Sequence, residues 1–143
     1  MKPEQFIREY GVDKAREVVE DAPNDSTLFR LGGIEEIPTY LKVKDGKYWR
    51  YSWRSGFREA CQSTYNKIND AGELVSLSDL KRLVESLDII WKFGSDIDGA
   101  KQLLEFVKDC ESVSIGQRTI QVERLVQAIR DHESIYGGGD ETN

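Results

Sequence analysis

A chain of 143 residues, 38% hydrophobic and 32% charged, is long enough to bury a core without metal or disulfide staples and too apolar for a disordered or fibrous class. Its net charge of -6 disfavours non-specific coating of nucleic acid, because an acidic body repels a polyanion at long range. Two distant cysteines, Cys61 and Cys110, and a single histidine, His132, leave no redox pair and no multi-histidine metal site, and the apolar runs are too short for a secretory signal or a membrane span.

Pro3 suits the first turn of a short helix that stops at Gly11, with Phe6, Ile7 and Tyr10 on one side. Asp13 is placed to cap a second helix through about Ala22, where Ala15, Val18 and Val19 form the apolar stripe and Pro23 is the stop. Pro23 to Pro38 reads as irregular, with turn chemistry at Asn24-Asp25-Ser26 and a break at Gly32-Gly33. Thr39 to Val43 predicts a short strand, and Lys44-Asp45-Gly46-Lys47 supplies the Asp-Gly pair that a tight hairpin favours. The returning strand is Tyr48 to Arg54. Period-two alternation puts Trp49, Tyr51 and Trp53 on one face and Tyr48, Arg50, Ser52 and Arg54 on the other. Trp49 and Trp53 are expected on the buried side, although a one-residue slip would exchange the faces.

Beyond Ser55-Gly56 the spacing of Phe57, Ala60, Cys61, Thr64, Tyr65 and Ile68 predicts an amphipathic helix. Ser76 can cap the next one, with Asp79 three residues on and a stripe of Leu80, Leu83, Val84, Leu87, Ile90 and Trp91 ending at a Gly94 C-cap. Ser95 and Asp96 begin another, lined by Ile97, Ala100, Leu103, Leu104, Val107 and Cys110 and weakened at Gly99; Cys61 and Cys110 are expected as buried core thiols. Glu111 to Gly116 is a loop or brief strand, Thr119 caps a last helix, and residues 137–143 form a disordered tail. The expected fold class is α+β: a mostly helical single domain over residues 1–136, with five or six helices and one β-hairpin.

No residue pattern predicts catalysis, a cofactor or a metal. His132, between Asp131 and Glu133, reads as a solvated surface histidine. Asp96-Ile97-Asp98-Gly99 opens like a calcium loop but continues as a helix, so capping explains it, and Gly32-Gly33 lacks the Lys-Ser pair of a phosphate loop. What stands out is charge distribution. Between Lys42 and Arg58 six cations face Asp45 alone, a net of +5, which leaves -11 on the rest of a chain whose total is -6.

The same stretch holds Tyr48, Trp49, Tyr51 and Trp53. Tyr, Trp and Arg are the residues that dominate protein interfaces, and rings interleaved with cations also suit single-stranded nucleic acid. Tyr48, Arg50, Tyr51, Arg54 and Arg58 are therefore the candidate contact residues. A host protein is the leading partner and a nucleic-acid-binding module the alternative; an exposed helical stripe would also allow a homodimer.

The opening Met1-Lys2-Pro3-Glu4-Gln5-Phe6-Ile7-Arg8-Glu9-Tyr10-Gly11, the helix Leu77-Ser78-Asp79-Leu80-Lys81-Arg82-Leu83-Val84-Glu85-Ser86 and the segment Val126 to Ile135 resemble small accessory proteins encoded in the early regions of lambda-like bacteriophages and prophages. The resemblance spans about a third of the chain and omits the aromatic hairpin. It implies a bacterial cytoplasm, consistent with free thiols, and a non-enzymatic role in modifying the host or countering its defences by binding one host component. The intervening Thr39 to Arg58 is then the segment that reads the target.

Overall fold

Pro3 opens helix α1 (Pro3–Tyr10), and Gly11 closes it with φ 91. The same glycine is the N-cap of α2 (Val12–Asp21), so the left-handed residue ends one helix and starts the next without a spacer. Asp13 consequently lies inside the first turn, not at the cap, and pairs with Arg16 at 3.5 Å. Ala22 is extended, as the residue before Pro23 must be. The computed structural model describes residues 1–32, 37–60 and 74–137, and the chain divides into two compact units, Met1–Lys81 and Arg82–Asn143.

In the first unit the expected single hairpin is part of a five-stranded antiparallel sheet. Its strands are β1 (Leu28–Gly32), β2 (Ile37–Lys44), β3 (Lys47–Ser52), β4 (Gly56–Glu59) and β5 (Val75–Ser76), in the order β4-β3-β2-β1-β5. The Asp45-Gly46 turn is as predicted: both residues have positive φ, 57 and 74, and Lys44 pairs with Lys47. The Asn24-Asp25 turn also stands, with Asp25 at φ 74.

Two readings are corrected. Leu28–Gly32 is a strand and not irregular chain, because it pairs with β2 along its whole length and with β5 at Leu28 and Phe29; Pro38 is tolerated opposite Leu31 because β3 pairs only with Leu41 to Lys44 of β2. Phe57 starts a strand and not a helix. A turn at Trp53-Arg54-Ser55, with Gly56 at φ 74, folds β4 back on β3. The rest of that expected helix, Cys61 to Ile68, lies outside the described residues.

Directly paired residues share a face. Phe29, Tyr40 and Val75 therefore lie on one face of the sheet, where α1 and α2 pack: Phe6 meets Phe29 edge-on at 5.1 Å, and Tyr40 Oη donates to the Val18 carbonyl at 2.7 Å. Burial, aided by Asp21 and Glu17, raises the Tyr40 hydroxyl pKa to about 12.

Helix α3 (Leu77–Gly94) starts in the first unit and continues into the second. Its predicted cap is present: the Asp79 N–H donates to Ser76 Oγ at 3.2 Å. The second unit adds α4 (Ile97–Val107), the hairpin β6 (Ser112–Ile115) and β7 (Arg118–Gln121), and α5 (Val122–Tyr136). Its core joins Ile90, Ala100, Leu125, Ala128 and Ile129.

The α3–α4 corner needs its glycines. A Cβ on Gly94 would overlap the backbone of Ala100, and one on Gly99 would overlap the Gly94 carbonyl. Gly99 thus permits a close approach, and its N–H donates at 2.7 Å to Asp96 Oδ1, the cap of α4. The left-handed residue is Ser95, at φ 68, and not Gly94.

Further corrections follow from where elements end. Thr119 is inside β7, and α5 begins at Val122 with no side-chain cap. Cys110 is exposed, because α4 stops at Val107, and Trp91 is 71% exposed, off the buried stripe of α3. Cys61 and residues 138–143 of the expected tail lie outside the described residues. Among the described residues no helix is long and apolar enough to cross a membrane.

Candidate functional site: an aromatic and basic ribbon

The segment Lys42–Glu59 builds the ribbon from the outer half of β2, all of β3 and β4, and the turns between them. None of β3 or β4 is buried. The pairings Lys42 with Trp49, Trp49 with Glu59 and Tyr51 with Phe57 assign these residues to one face. Val43 with Tyr48, Leu41 with Arg50 and Arg50 with Arg58 assign the others to the opposite face. The predicted alternation is therefore present from Tyr48 to Ser52, whereas Trp53 and Arg54, expected in the same strand, lie in the turn.

The expected burial of Trp49 and Trp53 is corrected. Trp49 is half-buried, its Nε1 donating to the Lys44 carbonyl at 3.3 Å, and Trp53 is 76% exposed in the turn. The physical reason is position: the helices pack over Phe29 and Tyr40, on β1 and β2, and the ribbon extends past that core.

The two faces treat charge differently. On the ring face Tyr51 meets Trp53 edge-on at 5.0 Å and Phe57 at 5.2 Å. Lys42 Nζ sits 4.4 Å above the Phe57 ring, and Lys47 pairs with Glu59 at 3.2 Å. That face is largely satisfied by itself. On the other face Arg50 and Arg58 are both exposed and directly opposite each other on neighbouring strands, and no described carboxylate lies within ion-pair distance of either.

The five candidate residues are accordingly divided. Tyr48, half-buried, shares a face with Arg50 and Arg58; Tyr51, also half-buried, belongs to the ring face; Arg54 is exposed in the turn, where its backbone N–H donates to Ser52 Oγ at 3.3 Å. Phe57 was missed because its helical spacing to Ala60 and Cys61 masked its role as the cross-strand partner of Tyr51.

A second polar cluster, in the other unit, was also missed. Asp131 is 3% exposed and accepts from Ser86 Oγ at 2.6 Å, Gln127 Nε2 at 2.8 Å and Arg82 Nε at 3.3 Å. Arg124 Nη1 donates to Ser86 Oγ at 3.0 Å. Every member is satisfied within α3 and α5, which makes the cluster a clamp between helices. His132, next in the chain, is half-buried rather than solvated, its ring 4.9 Å from that of Tyr136. Burial, helped by Lys101 and opposed by Glu133, lowers its pKa.

Among the described residues no group of three or more His, Cys, Asp or Glu could hold a metal ion. No family model matches the chain, and no match is found among curated proteins or solved structures.

Proposed function

We propose that this chain is a non-enzymatic, phage-type accessory protein that binds and modulates a host macromolecule in the bacterial cytoplasm, using the β3–β4 ribbon as its contact surface. The observation that carries this reading is the absence of buried residues in β3 and β4 although they and their turn hold Trp49, Tyr51, Trp53 and Phe57. Aromatic residues in a small domain ordinarily supply core. Here they stiffen a ribbon that projects cations. The phage origin rests on the resemblance of Met1 to Gly11, Leu77 to Ser86 and Val126 to Ile135, which flank the ribbon.

A host protein is favoured over nucleic acid by ring geometry. Stacking of successive bases needs a row of open ring faces; Trp53 is exposed, whereas Tyr51 makes T-shaped contacts with two rings and Lys42 covers Phe57. The test is capture from nuclease-treated bacterial lysate by wild type and by a folded Tyr48→Ala/Arg50→Glu/Arg54→Glu variant. Retention of one host protein by wild type alone is expected; equal capture by both would refute the ribbon as contact surface.

A further inference from the structure

We infer that the Arg50–Arg58 face is an anion clamp that takes carboxylates of an acidic protein segment, and that it, not the ring face, sets partner recognition. This rests on the ribbon reading above and adds the chemistry of the partner. The Ala60 N–H donates to the Tyr48 carbonyl at 2.8 Å, which, with the register of β3 and β4, makes Arg50 and Arg58 a hydrogen-bonded pair with Cα atoms about 5.5 Å apart.

Like charges directly opposite each other destabilise a sheet. Elsewhere on the ribbon Lys42 sits over the Phe57 ring and Lys47 pairs with Glu59, while Lys44 and Arg54 are exposed at its turns. The arginine pair has no such partner among the described residues. Two adjacent guanidinium forks match carboxylates bidentately. Val43, 51% exposed, and Tyr48 lie beside them on the same face and supply an apolar margin.

An acidic protein segment is favoured over a nucleic-acid strand because the patch is small. Two guanidinium groups satisfy a few carboxylates, while a continuous phosphate backbone needs a longer run of cations than this one pair.

The experiment is an NMR titration of the folded protein with a decapeptide of alternating Glu and Ala, its Gln-Ala counterpart and the oligonucleotide dT10. Arg50→Gln/Arg58→Gln is compared with Lys42→Gln/Lys47→Gln, which removes the same charge from the opposite face. In wild type, saturable shifts of the Arg50 and Arg58 Nε–H signals and of the backbone amides of β3 and β4 are expected with the Glu peptide; the affinity read from those amides should be weakened roughly tenfold or more in the arginine variant and with the Gln peptide, and largely kept in the lysine variant. Equal weakening in both variants, tighter binding of dT10, or no saturable shift would overturn the inference. In nuclease-treated lysate, capture lost by the lysine variant and kept by the arginine variant would sink this inference and leave the ribbon reading standing; capture unchanged in both would sink the ribbon reading as well.

Discussion

Arginines occur in two contrasting settings. Arg82 and Arg124 close on a buried carboxylate and hydroxyl, Asp131 and Ser86, in a cluster whose members all have partners. Arg50 and Arg58 stand opposite each other on exposed strands without a described counter-charge. The first arrangement ties two helices together around a buried carboxylate. The second places like charges directly opposite each other, an arrangement that costs stability in the free protein. Satisfied charge is structural here, and the proposed contact surface is the charge that lacks a described partner.

The contrast can be broken from the structural side first. Asp131→Ala leaves Ser86 and Gln127 without their acceptor and should cost about 3 kcal/mol in urea unfolding, without affecting capture by the ribbon. A loss under about 1 kcal/mol would mean the cluster is not a clamp. Gly99→Ala should cost about 1–3 kcal/mol, because a Cβ meets the Gly94 carbonyl; an unchanged melting curve would contradict that close approach. Tyr40→Phe removes the bond to Val18 and should cost about 1 kcal/mol, and its ultraviolet titration should lack the tyrosine that ionises at about 12.

A pH effect sharpens the comparison within the second unit. The folded-state pKa of His132 lies below its ordinary value, chiefly through burial. The unfolded chain therefore binds the proton more readily, and the stability this residue contributes is complete above about pH 6.5 and lost as pH falls through the lower folded value. The melting temperature of His132→Gln should decline less than that of wild type between about pH 7 and pH 5; parallel declines would contradict it. The smallest effect has the opposite sign: Arg58→Gln should stabilise by about 0.2–1 kcal/mol by relieving the cross-strand repulsion.

Local chemistry made part of this legible. Pro3, Gly11, Pro23, the Asp45-Gly46 turn and the Ser76 cap each act within a few residues, and each is found where the residues place it. The ribbon's alternation was readable for the same reason. Non-local pairing was not: β1 is a strand because β2 and β5 flank it, and Phe57 faces Tyr51 only through a turn that its helical spacing concealed. The opposition of Arg50 to Arg58 depends on that same register, and the Asp131 cluster on bonds between residues 38 to 49 positions apart in the chain. Neither leaves a periodic signature.

The most direct test of the account measures stability and capture on one preparation of Arg50→Gln/Arg58→Gln. The account predicts a melting temperature raised by about 1–4 °C together with loss of the captured host protein. A lowered melting temperature with capture retained would show that the pair serves the fold and that recognition lies elsewhere.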